Sequence, residues 1–287
     1  MNFLSFDNVS YTYPEIGEIE TDENGQPILN QPVFDFFTAE LPAGFTSLIG
    51  PNASGKSTFL LLAGGRVTPQ QGKVLLFGED ISHATPEKRD ELASFIFQNM
   101  EFETDDPVGP LLEQVFSNGF FKAGSSKKAK DVKLSASFYN DVLKIFELGG
   151  IMDRKLNGIS KGEMQRVLMA FSVLYGSRSV FMDEPMFAME DEQKHSAMQF
   201  LRDFSISTGT PVWIAMHELE LSKKYAENVA LFFPNRDIDF GSPAEVLTKD
   251  ALETAYGVPA AMLRDTEALN RKSLKEAADA LKAQNQQ

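Results

Sequence analysis

The sequence has no cysteine and comparatively few basic residues. Without cysteine, neither a disulfide nor a thiolate metal site can form, which is typical of proteins in a reducing compartment. The 27 lysines and arginines are outnumbered by 41 aspartates and glutamates, so the formal net charge is −14. A protein that binds duplex DNA presents a basic surface. The charge balance therefore argues against a nucleic-acid partner.

Long apolar runs are missing as well. No uninterrupted apolar segment is long enough to span a bilayer. The first seven residues have neither a positive segment nor an apolar one, so we expect no signal peptide. A membrane role would therefore depend on a partner protein. The 287 residues are 43% hydrophobic, which is typical of a globular protein with one large domain or two modest ones.

A phosphate-binding loop is the most specific motif present. It fits the pattern G-x-x-x-x-G-K-[ST] and consists of Gly50, Pro51, Asn52, Ala53, Ser54, Gly55, Lys56, Ser57 and Thr58. The apolar run Phe45–Ile49 predicts a strand before it, and Phe59–Ala63 predicts a helix after it. In such a loop, backbone N–H groups and the helix N-terminus bind phosphates. Lys56 would reach the β- and γ-phosphates, and the Ser57 hydroxyl would ligate Mg²⁺.

A pair of carboxylates follows a second apolar strand. Ser179–Met182 predicts a buried strand, and Asp183 and Glu184 come directly after it. Asp183 would hold Mg²⁺ together with Ser57, while Glu184 could take a proton from an attacking water molecule. Taken alone, the pattern fits an acidic turn equally well. The phosphate-binding loop upstream favours the catalytic interpretation.

Strand and helix patterns alternate along most of the chain, which predicts an α/β fold with a mainly parallel sheet. The predicted strands are 3–13, 33–37, 45–49, 73–77, 95–97, 179–182, 211–216 and 228–233, with a turn at 78–80. The predicted helices are 86–92, 110–121, 134–148, a run after Ser160, and 243–287.

Three segments stand apart from this alternation. Residues 101–159 predict a helical insertion, and the lysines at 122–133 within it predict a solvated face, with a binding patch as the less favoured alternative. Residues 15–32 are acidic and rich in turn formers, which predicts an exposed loop. Residues 251–287 predict a C-terminal helical extension.

The motifs together resemble the ABC-type ATPases, the nucleotide-binding subunits of ABC transporters, over roughly residues 3–250. The family's landmarks occur in order. Tyr13 corresponds to the aromatic residue that stacks on adenine, Gly50–Thr58 to Walker A, Gln98 to the Q-loop, Ser160 and Gly162 to the signature motif, Asp183 to Walker B, Glu184 to the catalytic base and His217 to the switch histidine. Tyr11 lies two residues from Tyr13, and either ring could instead pack in the core.

The resemblance implies a P-loop NTPase fold of the ABC type. A mixed sheet, an antiparallel β subdomain and a helical subdomain inserted at about 101–159 would form one domain over residues 1–250. It implies ATP and Mg²⁺ as cofactors, with Lys56, Glu184 and His217 acting in catalysis and Ser57, Gln98 and Asp183 near the metal. Two copies, or this chain and a paralogous ATPase subunit, would pair head to tail around ATP.

Several residues depart from the family's pattern. Lys161 replaces a glycine of the signature motif and Glu163 its glutamine, and we expect Lys161 to offset the charge of Glu163. Phe187 and Glu190 replace the serine and aspartate of the D-loop, and Phe171 replaces an arginine. These changes predict a divergent but competent ATPase with slow or partner-dependent turnover.

The resemblance favours a subunit that powers a separate integral membrane permease, as in an importer, from the cytoplasmic face of the cell membrane. The alternative is a soluble ABC ATPase that drives cofactor or complex assembly. A third hypothesis is a binding switch with little hydrolysis, suggested only by Lys161 and Glu163.

Overall fold

A computed structural model describes residues 3–15, 17, 27, 29–100, 102, 104–120, 137–259, 262 and 263. The lysine-rich segment at 122–133, most of the predicted loop at 15–32 and everything beyond residue 263 lie outside these residues. The described strands form two sheets. In chain order they are β1 (Leu4–Tyr11), β2 (Phe34–Leu41), β3 (Phe45–Ile49), β4 (Gln71–Leu76), β5 (Glu79–Asp80), β6 (Ala93–Ile96), β7 (Ser179–Asp183), β8 (Val212–Ala215), β9 (Asn228–Phe232) and β10 (Ile238–Gly241).

The larger sheet has the order β10-β9-β3-β8-β7-β6. Its strands are parallel except for β10, which runs antiparallel to β9. The smaller sheet has the order β2-β1-β4-β5, and its strand pairs are antiparallel. The mixed sheet, the antiparallel sheet and the intervening helices confirm the predicted fold class.

Nine α-helices connect or flank the strands within the described residues. They are α1 (Lys56–Ala63), α2 (Pro86–Leu92), α3 (Val108–Asn118), α4 (Phe138–Ile145), α5 (Lys161–Tyr175), α6 (Asp191–Thr208), α7 (Leu219–Tyr225), α8 (Pro243–Val246) and α9 (Lys249–Tyr256). Helices α3 and α4 come between β6 and β7 in the chain, where the sequence predicted a helical insertion. No described helix is both long and apolar enough to cross a membrane.

Alternating side chains of the larger sheet pack in two separate cores. Phe181 and Trp213 point to the core shared with α1 and the antiparallel sheet, where the Trp213 ring stacks on Phe59 at 5.8 Å between ring centroids. Val180 and Ile214 point to the other core, which α5 and α6 cover. Side chains alternate between the two faces of a strand, and a core covers each face. Both faces of the sheet are therefore buried, and its strands have nearly continuous apolar sequences.

The structure corrects the sequence prediction at several boundaries. Residues 79 and 80 form the short strand β5, which pairs with Leu75 and Leu76, instead of continuing the predicted turn. Strand β2 extends to Leu41, beyond the predicted end at Phe37. Strand β10 was not predicted, because its four residues give only one apolar–polar–apolar alternation, at Ile238, Asp239 and Phe240, which is too short to indicate a strand.

Candidate functional site

The phosphate-binding loop joins β3 to α1, as its sequence context predicts. Helix α1 begins at Lys56, and its N-cap residue Gly55 supplies no side-chain hydrogen bond to the helix. The first-turn N–H groups of α1 therefore lack a side-chain cap and are available to an anion. Gly50 has φ 151°, and a Cβ there would lie 2.6 Å from the Phe232 carbonyl oxygen. Only glycine fits at this position, where the loop leaves the sheet.

Lys56 lies inside this loop. Its Nζ donates hydrogen bonds to the carbonyl oxygens of Gly50 at 2.7 Å and Pro51 at 2.9 Å, and the residue is only 6% exposed. Burial lowers the pKa of Lys56, while the charges of Glu184 and Asp183 oppose that shift. The loop thus holds a buried amine beside two carboxylates, an arrangement suited to a polyanion with a bound cation.

Asp183 ends strand β7 and is also 6% exposed. Burial raises the pKa of this carboxyl, whereas a hydrogen bond with Ser57 lowers it. Its Oδ1 atom is buried and has no hydrogen-bond partner within the described part of the chain. An unpartnered buried carboxylate oxygen next to a hydroxyl is a donor set that suits Mg²⁺.

Glu184 is held by two neighbours through its two carboxylate oxygens. Oε1 lies 2.8 Å from His217 Nε2, and Oε2 accepts a hydrogen bond from Gln98 Nε2 at 2.9 Å. Because a carboxylate can only accept, His217 must carry a proton on Nε2. The hydrogen bond from His217 outweighs partial burial and lowers the pKa of Glu184. Glu184 also has φ 48°, a strained conformation for a non-glycine residue that often marks a functional site.

Sheet topology explains why these three residues meet. Gln98 follows β6, Glu184 follows β7 and His217 follows β8, and these strands are adjacent and parallel. The carboxyl ends of parallel strands lie at one edge of a sheet, where ligand sites of open α/β folds occur. The sequence predicted all three residues, and the structure brings them together.

Tyr13 and Tyr11 have different environments. Tyr11 is 6% exposed and belongs to the core, whereas Tyr13 is 41% exposed. The Tyr13 hydroxyl lies 3.0 Å from Thr58 Oγ1, and its ring meets Tyr11 edge-on at 5.1 Å. Tyr13 therefore presents an aromatic face beside the phosphate-binding loop and remains the candidate for contact with a nucleobase.

Ser160 and Gly162 lie at the start of α5, and Ser160 is its N-cap. The Ser160 hydroxyl accepts a hydrogen bond from the N–H of Glu163, and the Glu163 carboxylate accepts one from the N–H of Ser160 at 2.7 Å, which completes a capping box. These hydrogen bonds stay within one turn and do not reach the phosphate-binding loop of the same chain. A Cβ at Gly162 would lie 2.5 Å from the Ala188 carbonyl oxygen, so the D-loop closely approaches this helix.

The expectation that Lys161 offsets the charge of Glu163 was wrong. Lys161 is exposed, and Arg154 instead donates a hydrogen bond to Glu163 Oε1 at 2.9 Å. Arg154 comes nine residues earlier, and only the fold brings it next to the start of α5.

Several supporting contacts were not predicted from the sequence. Gln165 accepts a hydrogen bond from the N–H of Ala188 at 2.7 Å, which fastens the D-loop to α5. Lys194 forms an ion pair of 2.5 Å with Glu218, the residue after His217, and both side chains are largely buried. In the sequence, only the opposite charges of Lys194 and Glu218 suggest this pair. The separation of the two residues along the chain is not typical of any motif.

Comparison with known proteins shows the family. The sequence model of the ABC transporter family matches residues 39–187, more than half of the chain, so the chain belongs to this family. The chain has the fold of the ATP-binding cassette and is an ATPase of this family.

Individual relatives agree with this assignment. A petrobactin import ATP-binding protein of Bacillus anthracis is 28% identical over 76% of this chain and 84% of its own length. A hemin import ATP-binding protein of Rhizobium meliloti is 26% identical over 75% of this chain and 82% of its own length. Among solved structures, a dimeric ATP-binding cassette in a post-hydrolysis state with ADP and Pi has a TM-score of 0.65 at 20% identity, over 84% of this chain and 98% of that one.

Proposed function

We propose that this chain powers a separate membrane permease of an importer, working as a pair of ATPase subunits on the cytoplasmic face of the membrane. The proposal rests on the proximity of Lys56, Asp183 and Glu184 at one edge of the larger sheet. Gln98 and His217 hold the two carboxylate oxygens of Glu184. The named import functions of the relatives favour transport over cytosolic assembly.

The residues divide the chemistry between them. The phosphate-binding loop and Lys56 would hold the β- and γ-phosphates, and Tyr13 would pack on the base. Ser57 and Asp183 would hold Mg²⁺, which supplies charge neutralisation to the phosphates when bound. Glu184 would orient the attacking water and accept its proton, and His217 would fix the position of the Glu184 carboxylate. Most of the rate gain in phosphoryl transfer comes from such positioning and from charge stabilisation.

The head-to-tail pair would complete the site. Ser160 and Gly162 contribute no hydrogen bond to the phosphate-binding loop of their own chain, and they lie at an exposed helix N-terminus suited to an anion. In the proposed pair they would contact the γ-phosphate held by the partner subunit. Hydrolysis would remove that bridge and let the pair open.

A cleft next to Glu184 is the proposed seat for the permease. It has a volume of about 490 Å³, and its lining includes Phe97, Met100, Met164, Ser160 and Glu184. Its lining is partly apolar, and it reaches both the catalytic carboxylate and residues 160–162 at the start of α5, here called the signature turn. A permease segment that packs on Phe97 and Met100 would lie next to Gln98, which contacts Glu184, and its binding could thus be coupled to the catalytic site.

Purification of the chain from detergent-solubilised membranes of its own cells, followed by mass spectrometry, tests the transport proposal. We expect a stoichiometric multi-span membrane protein to accompany the chain. Phe97→Glu should lose this partner while still binding ATP, and Phe36→Glu, which changes an exposed phenylalanine on β2, should retain it. Recovery of water-soluble partners alone, with the chain absent from membranes, would contradict transport and favour the assembly ATPase.

A further inference from the structure

We infer that Arg154 is a positioning residue for the signature turn, and that its positive charge makes a glutamate at position 163 compatible with binding of ATP by the partner subunit. The inference rests on the proposed head-to-tail function of Ser160 and Gly162. It concerns the substitution at which this chain departs from the amide of the family's motif.

Both oxygens of the Glu163 carboxylate are engaged. Oε2 accepts from the N–H of Ser160 at 2.7 Å, and Oε1 accepts from Arg154 at 2.9 Å. The side chain of Glu163 is only 20% exposed, so solvent screens its charge incompletely. Partial burial alone would raise the pKa of Glu163, but the hydrogen bonds with Ser160 and the positive charges of Arg154 and Arg166 hold it below its usual range. The carboxyl is therefore ionised at neutral pH and needs a counter-charge.

Arg154 is well placed to supply that charge. Its second guanidinium nitrogen donates to the Gly158 carbonyl oxygen at 2.6 Å. The Arg154 side chain thus links Glu163 on α5 to the segment that precedes α5. Its backbone is fixed from the other side, because the N–H of Val108 donates to the Arg154 carbonyl oxygen at 3.0 Å. A planar guanidinium can hold both partners in a fixed geometry, which a lysine cannot.

The contacts of Glu163 also determine which hydrogen-bonding groups of Ser160 remain available to a ligand. The capping box uses the Ser160 hydroxyl as an acceptor, so its hydrogen can still be donated. The N–H of Ser160 is already bound to Glu163. If Arg154 were removed, the Glu163 carboxylate would lose its hydrogen-bonded counter-charge and keep only the charge of Arg166, which is itself paired with Glu147. That weakly compensated carboxylate would lie one helical turn from the hydroxyl that is proposed to contact the γ-phosphate. Like charges at that distance oppose binding.

A double-mutant cycle on the full-length protein separates this charge role from a purely structural one. Steady-state ATP hydrolysis is measured for the parent, Arg154→Gln, Glu163→Gln and the double variant, with Lys249→Gln as a control that breaks an exposed ion pair with Glu253. We expect Arg154→Gln to raise KM for ATP about tenfold, with a smaller effect on kcat, because the weakly compensated charge of Glu163 would oppose the phosphates. In the double variant, KM should return to near that of Glu163→Gln.

Other results would contradict the inference. If the double variant is as defective as Arg154→Gln, the arginine acts only through its contact with Gly158. If Arg154→Gln has the same KM as the parent and as Lys249→Gln, the charge of Glu163 does not affect ATP binding. Either result leaves the proposed function intact, because that function is tested separately by whether a multi-span membrane protein accompanies the chain.

Discussion

Nε2 of His217 lies 2.8 Å from Oε1 of Glu184, and this contact links the ends of two adjacent parallel strands. It fixes the tautomer of the histidine and one oxygen of the carboxylate. Gln98 fixes the other oxygen from the opposite neighbouring strand. Glu184 is therefore oriented from both sides.

His217→Ala should lower kcat on the order of 10²-fold, with a small change in ATP affinity, because Glu184 loses the group that orients it. Steady-state hydrolysis and equilibrium nucleotide binding measure the two effects. His83→Ala is the matched control, since His83 is exposed and pairs with its near neighbour Asp80 instead of with a residue of the site. Equal kcat for His217→Ala and the parent would rule out the positioning role.

Gly162→Ala should impair hydrolysis by about tenfold or more, since the added Cβ would lie 2.5 Å from the Ala188 carbonyl oxygen and would displace the D-loop. Nucleotide binding to the chain's own phosphate-binding loop should persist. Gly158→Ala is the control, because a Cβ there meets nothing within 4 Å. The explanation fails if both alanine variants hydrolyse ATP at the parent rate.

Lys194→Met should destabilise the protein by about 1–3 kcal/mol, because it leaves the largely buried carboxylate of Glu218 without its partner. It should also lower kcat, since Glu218 adjoins His217. Denaturant unfolding and steady-state hydrolysis measure these effects. Adding Glu218→Gln to the variant should recover part of the lost stability, and a larger loss in the double variant would contradict the ion-pair account.

The pH dependence of stability should report the capping box of α5. The pKa of Glu163 is lower in the folded protein than in the unfolded chain, so its contribution is fully present above the unfolded pKa and is lost as pH falls through the folded pKa. Between pH 7 and about pH 4, the melting temperature of Glu163→Gln should therefore fall less than that of the parent. Glu113→Gln, at an exposed site on α3, should follow the parent. Parallel curves for all three proteins would contradict this assignment.

The parts of the site that could be predicted from the sequence are those carried by short motifs. The motif Gly50–Thr58 marks the end of a strand and the start of a helix. The pair Asp183 and Glu184 marks the end of a second strand. Parallel strands place Gln98 and His217 beside Glu184, but these two residues were identified in the sequence through their correspondence to the Q-loop glutamine and the switch histidine of the family. Strand and helix positions in the core were similarly predictable, because burial on both faces gives long apolar runs.

The remaining contacts depend on tertiary structure. Arg154 reaches Glu163 only because the segment before α5 folds back, and Lys194 meets Glu218 across two separate elements. Neither pair has a sequence spacing that distinguishes it from many other opposite charges. The edge strand β10 was missed for a different reason, because its apolar alternation covers only Ile238, Asp239 and Phe240 and is too short to distinguish a strand from a loop.

The most direct test of the account is the behaviour of Glu184→Gln with ATP. The amide keeps the shape of the side chain but cannot accept a proton from water, so hydrolysis should fall by a factor of at least 10² while ATP binding persists. Size-exclusion chromatography with MgATP, together with analysis of the retained nucleotide, should show a stable dimer that contains ATP. The parent protein and Glu113→Gln should elute mainly as monomers after turnover. If Glu184→Gln hydrolyses ATP at the parent rate, or binds ATP yet stays monomeric, the assigned catalytic base and the head-to-tail pair are wrong.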